Sequence, residues 1–156
     1  MSDILTHKEL VAPAFLPEED APEKPRKREE KPLGEELADA LVAGLERRGW
    51  TIEYRWTTYD GHAFDARRKD IRYDVEVKSL DRGPREGWTG HWALTATRRS
   101  GLFKRLWPGR YDADEHALLR LHLDEVLAGD PRIASSGVWW TEKDFEAQRG
   151  ASAQTV

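Results

Sequence analysis

Asp65, Glu76 and Lys78 are the residues of this 156-residue chain whose types and spacing come nearest to a catalytic set. In Glu76-Val77-Lys78 a strand would place the acid and the amine on one side, because side chains alternate along a strand with a period of two. Asp65 falls in the preceding segment, Ala63 to Arg68, where Phe64 and Ala66 alternate with Asp65 and Arg67. Pairing of the two segments would bring Asp65 beside Glu76 and Lys78. Two carboxylates can hold a divalent cation such as Mg²⁺, and a neighbouring lysine can position or activate attacking water. The same residues, with Arg67 and Asp74, equally form a solvated strand face carrying cross-strand ion pairs.

The constellation resembles the PD-(D/E)XK nuclease family over roughly Gly34 to Lys78. That resemblance implies a core ordered helix, three strands, helix, strand. It also implies Asp65 and Glu76 as Mg²⁺ ligands, Lys78 as the assistant of the water, and Glu35 or Glu36 on the first helix as an extra ligand. On this reading the protein is a metal-dependent nuclease, and the loop from Arg98 to Arg110 holds the phosphate backbone.

The elements that must position these residues are legible as patterns. Tyr73, Val75 and Val77 alternate with Arg72, Asp74, Glu76 and Lys78, which predicts a strand with one wet face. Lys69-Asp70 is the expected turn to the strand before it. Thr51 to Tyr59 is predicted as a strand with Ile52, Tyr54 and Trp56 inward, closed by the hairpin signal Asp60-Gly61. Gly90 to Arg98 is a fourth strand, with Trp92, Leu94 and Ala96 inward. Gly34 to Arg48 predicts a helix, from the stripe Leu37, Leu41, Leu45 with Ala38 and Val42. Asp112 to Ala128 predicts another, with Asp112 as N-cap, Glu115 completing a capping box, and Leu121 among its apolar residues. Val138-Trp139-Trp140 suggests a short last strand. The expected fold is α+β: a two-layer sandwich of four to five mainly antiparallel strands with two helices on one face, in the order α-β-β-β-β-α-β. Its open face would carry Glu53, Arg55, Thr57, Asp65, Arg67, Asp74, Glu76, Lys78, His91 and Thr95.

Length predicts one domain, at 34–145, between disordered tails at 1–33 and 146–156. The stretch Pro17 to Pro32 mixes charges with prolines and has too little apolar surface to offset its ordering entropy. The apolar patch of Ile4, Leu5, Leu10, Val11, Phe15 and Leu16 reads as a floppy terminus or a linear docking motif. The composition is 38% hydrophobic and 35% charged, which supports one modest core under a highly charged surface. A net charge of −4 gives no general attraction for nucleic acid. The absence of cysteine excludes disulfides and thiolate metal sites. No apolar run approaches the ~20 residues of a membrane span, and no secretory signal is visible, so a cytoplasmic location is expected. Arg-, Ala- and Asp-rich usage suggests a bacterial source.

Arg99 to Tyr111 is a basic, aromatic loop in which Phe103, Arg105 and Trp107 suit either base stacking or a protein-binding hot spot. Small size, acidity and an open charged sheet favour a cofactor-free protein-binding module, in the manner of an immunity protein, chaperone or adaptor. Its partner surface would be Asp65, Arg67, Asp74, Glu76, Lys78, Phe103, Arg105 and Trp107. The partner would be another protein, such as a toxin or secreted effector, with nucleic acid as the lesser option and no membrane. The Mg²⁺-dependent nuclease is the alternative.

Overall fold

The structure, a computed structural model, describes residues 4–16, 33–81, 87–98 and 112–154. Among the described residues, six strands and three α-helices follow the order β1 (His7–Val11), α1 (Glu35–Glu46), β2 (Arg55–Thr57), β3 (Gly61–Arg68), β4 (Ile71–Ser79), β5 (His91–Arg98), α2 (Ala113–Ala128), β6 (Ser135–Trp140) and α3 (Glu142–Gln154). The strands make one open sheet in the order β2-β3-β4-β5-β1-β6, and every pairing is antiparallel. The fold is therefore α+β, as the alternation predicts. Among the described residues no helix is long and apolar enough to cross a membrane.

Local chemistry accounts for the elements. The Asp112 carboxylate accepts from the amides of Asp114 (3.0 Å) and Glu115 (3.1 Å) and so starts α2. Lys69 takes a positive φ of 58° in the β3–β4 turn. Gly61 opens β3 against β4 so closely that a Cβ there would lie 1.9 Å from the Val77 carbonyl oxygen, a position only glycine can fill. The core lies between one sheet face, built from Leu10, Phe64, Tyr73, Val75, Val77, Trp92 and Leu94, and the leucines of α1 and α2.

Three findings correct the expectations. The first is that residues 4–16 are not a disordered tail. β1 lies inside the sheet, paired on one side with β5 and on the other with β6. Leu10 and Ala12 are fully buried, and the Trp92 indole donates to the Ala12 carbonyl at 3.1 Å. Lys8 is 3% exposed, and its ammonium bonds the Asp124 carboxylate on α2 and the Ser136 hydroxyl on β6 (2.9 Å). The Trp139 indole donates to the same Asp124 oxygen at 2.9 Å. A lysine pointing inward breaks the apolar alternation that would have announced the strand.

The second correction concerns β2. Thr51 bridges Arg67, whereas Arg55 pairs with Phe64, so the incoming segment carries one residue more than β3 opposite it. This bulge reverses the alternation. Ile52 packs against the core, but Tyr54 is exposed and Trp56 sits opposite Ala63 on the far face. Arg55 and Thr57 move to the helix-covered side, where Arg55 bonds Asp39 of α1 at 2.7 Å.

The third correction is at the C-terminus. α3 (Glu142–Gln154) begins inside the expected domain and continues through most of the expected tail at 146–156, and it packs on the sheet face opposite α1 and α2. Its Phe145 ring lies 5.2 Å from His7, and Arg149 pairs with Glu9 at 3.5 Å; both partners point away from the Leu10 side of β1. Two details of α2 also differ. Leu121 is exposed, and Glu115 lies buried beside Arg68 (3.6 Å) and Lys69 (3.7 Å), holding the β3–β4 turn rather than closing a capping box.

An internal strand cannot be removed without leaving two ladders unpaired. Deleting residues 1–16 is expected to abolish the cooperative urea transition followed by circular dichroism. The milder change Lys8→Met, which leaves Asp124 without its cation, is expected to cost about 1–3 kcal/mol in the same assay.

Candidate functional site

The face opposite the core carries the charges. Cross-strand register places them in rows: Asp65 opposite Asp74 and then Thr97; Ala63, Glu76, Thr95 and His7; and Gly61, Lys78, Ala93 and Glu9. Arg67 and Arg72 form a further row at one end. Asp65, Arg67, Asp74, Glu76 and Lys78 thus share one face. Phe103, Arg105 and Trp107 lie outside the described residues.

Asp65 is fully buried, and its surroundings explain why an acid stands in the middle of a strand. The bulge before β2 frees two backbone amides, those of Glu53 and Tyr54. Asp65 Oδ1 accepts both, at 2.9 and 2.8 Å. Its other oxygen has no hydrogen bond but lies 3.7 Å from the Arg72 guanidinium. Arg72 in turn bonds Glu53 at 2.8 Å and lies over the Tyr54 ring. Asp65 and Arg72 together clamp the bulge. An oxygen already holding two amides is poorly placed to serve as a metal ligand.

Glu76 has a different environment. It is half-buried in the middle of the face, and its carboxyl is held above the ordinary glutamate range. Loss of solvent is the main cause; Asp60 and Asp74 push the same way, and Lys78 and the Thr58 hydroxyl oppose them. Asp60, read in the sequence only as a turn residue, therefore belongs to the site. Its signal was the register itself, since Gly61 next to it pairs with Lys78. Around this group the floor is made of small residues, Ala63 and Ala93, both buried. Trp56 stands on the β2 side, one-third exposed, and Tyr59 beyond it is 93% exposed. α3 stands on the β1 side, with Phe145 buried against His7.

Among the described residues, no three His, Asp or Glu side chains converge in a way that would hold a metal ion. Four strands, β2 to β5, separate α1 from α2, one more than the nuclease resemblance implies. Comparison with protein families, curated proteins and solved structures finds no match. The face must therefore be read from its own chemistry.

An acidic centre of Asp60, Asp74 and Glu76 sits next to one lysine, over a floor of small side chains and beside exposed aromatic rings. Elsewhere, an open cleft between the ends of α1 and α2 is lined by Arg47, Arg48 and Arg132. There Arg48 pairs with Glu125 (3.0 Å) and Arg132 with Asp130 (2.7 Å).

Two measurements separate the roles of the acids. Asp65→Ala strands two amides and is expected to cost about 2–4 kcal/mol, with millimolar Mg²⁺ leaving the wild-type melting temperature unchanged. Glu76→Gln should do the reverse. A carboxyl whose folded pKa is raised is destabilising once it ionises, so the variant is expected to melt higher than wild type at neutral pH. The gain should vanish when both proteins are measured below about pH 4, where the carboxyl is protonated in either state.

Proposed function

We propose that the protein is a binding module that engages another protein through the β3–β4–β5 face, with Asp74 and Glu76, beside Asp60, receiving basic side chains of the partner. Glu76 carries this reading. A half-buried carboxylate crowded by two others is an electrostatic cost to the free protein, and such costs concentrate at functional sites. An incoming guanidinium or ammonium would relieve that cost and restore full ionisation. The exposed rings of Trp56 and Tyr59 suit the same cation by stacking. Lys78, Arg67 and Arg72 interleave positive charge with the acids, which fixes orientation and speeds encounter more than it adds affinity. An inhibitor or adaptor acting in the manner of an immunity protein fits this surface, with a basic toxin or effector as its target. The loop residues Phe103, Arg105 and Trp107 would extend the contact.

Asp65 enters this reading as a positioning residue: it holds the bulge that turns Trp56 onto the binding side. In the nuclease alternative Asp65 would be a ligand; its Oδ1 already serves the backbone, and its Oδ2 lies 3.7 Å from the Arg72 guanidinium.

The test is paired. A partner retained by immobilised wild type should be lost with the double variant Asp74→Lys/Glu76→Lys while circular dichroism stays unchanged; undiminished retention would remove this face from the function. In parallel, DNA and RNA are incubated with Mg²⁺ or Mn²⁺. Cleavage that disappears in both Glu76→Ala and Lys78→Ala would replace the binding reading with the nuclease one.

A further inference from the structure

The two edges of the sheet are guarded unequally. β2 is three residues long, is entered through the bulge and carries Arg55. β6 is six residues long, Ser135-Ser136-Gly137-Val138-Trp139-Trp140, with no charged side chain and no proline. It pairs with β1 on one side, and among the described residues no strand pairs with the other. An unpaired strand presents a row of amides and carbonyls that templates further pairing, and sheet proteins ordinarily block it with short strands, charges, prolines or bulges. Of these devices β6 has one, a bulge where Gly137 and Val138 together stand opposite Glu9. The bulge bends the strand but supplies no charge to repel a second one, and Val138 within it is 65% exposed.

The helix above this edge is apolar on the same side. Asp124 of α2 accepts from the Trp139 indole of β6, which identifies the flank of α2 nearest that strand. Ala117, Leu121 and Ala128 lie within about 60° of Asp124 around the helix axis. All three are exposed, Leu121 by 52%.

We propose that β6 is a dimerisation edge: two copies of this chain pair β6 to β6, antiparallel, about a two-fold axis normal to the sheet. Such a contact is isologous, so the strand must complement itself. An uncharged strand does so, because no register sets like charges against each other. The same axis places both α2 helices on one side of the joined sheet, with the flanks that carry Leu121 turned toward each other. A lone extended peptide would pair with the edge and leave that helix flank uncovered. A second copy accounts for both the edge and the flank. The axis also leaves the two β3–β4–β5 faces on one common side, but the dimer does not rest on what those faces bind.

Sedimentation equilibrium of the full-length protein tests the proposal. Wild type is expected at twice the 17.9 kDa mass of the chain. Val138→Lys sets like charges across the axis and is expected to associate at least ~10-fold more weakly, with unchanged circular dichroism. The chain has no cysteine, so single replacements give a second reading. A short bis-maleimide should join two copies of Val138→Cys but not of Tyr59→Cys, whose position beyond β2 is 93% exposed. A wild type that stays monomeric at about 100 μM, where micromolar self-association would be nearly complete, overturns the proposal. So does a dimer that Val138→Lys leaves intact, or Val138→Cys joining no faster than Tyr59→Cys. A monomer whose outer β6 amides resist hydrogen exchange would assign the edge to another segment of the same chain and equally overturn it. None of these readouts involves the charged face, so failure of the binding reading and failure of the dimer are separately visible.

Discussion

The fold depends on the insertion of β1 between β5 and β6. In the described sheet this strand joins the β2–β5 part to β6, and it is held by two ladders and by the buried ammonium of Lys8. A lysine so deeply placed is tolerable only because Asp124, Ser136 and the face of Trp139 (5.3 Å to the ring centre) surround it, and these come from α2 and β6. The same Asp124 oxygen receives the Trp139 indole, so one carboxylate fixes the strand, the helix and the edge to each other. At the far end of β1, Pro13 packs so tightly on Gly90 that a Cβ there would lie 2.5 Å from the proline backbone, and the Ala12 amide bonds the Gly90 carbonyl at 2.7 Å.

Where one periodicity governed a segment, the sequence was easy to read. The leucine stripe of α1, the Asp112 cap, the Asp60-Gly61 and Lys69-Asp70 turns, and the alternation of β4 and β5 each follow from a local rule, and together they give an antiparallel α+β sheet. What escaped was non-local. Lys8 counts as a solvent residue until Asp124 supplies its partner from 116 positions away. α3 carries a single apolar anchor, so no stripe announces it. The bulge before β2 inverts a pattern that is regular on both sides of it, and only the pairing with β3 reveals the extra residue. The candidate site was half legible for the same reason. Alternation put Asp65, Asp74, Glu76 and Lys78 on one face, but it could not distinguish a carboxylate that serves the backbone from one that faces outward.

That distinction organises the charged face. Asp65 is neutralised by two amides and by Arg72, and it behaves as part of the scaffold. Glu76, two residues along β4 from the Asp74 that faces Asp65, is half-buried, and its carboxyl is held above the ordinary glutamate range mainly by loss of solvent. One pair of strands thus ties one acid to the backbone through Oδ1 and leaves another half-buried among further carboxylates.

The position of β1 also bears on how the chain reaches this structure. The earliest described strand lies between β5 and β6, which begin far downstream at His91 and Ser135. During synthesis, the ladder of β1 to β5 can close only once His91–Arg98 has emerged, and its ladder to β6 only once Ser135–Trp140 has. The β2–β3–β4–β5 meander can form from local contacts, but the last step joins distant segments and carries the loop-closure entropy that slows folding. Until that step, β5 presents an unpaired edge and Trp92 lacks the Ala12 carbonyl that satisfies its indole. The nascent chain is therefore prone to association at the β5 edge until β1 docks on it.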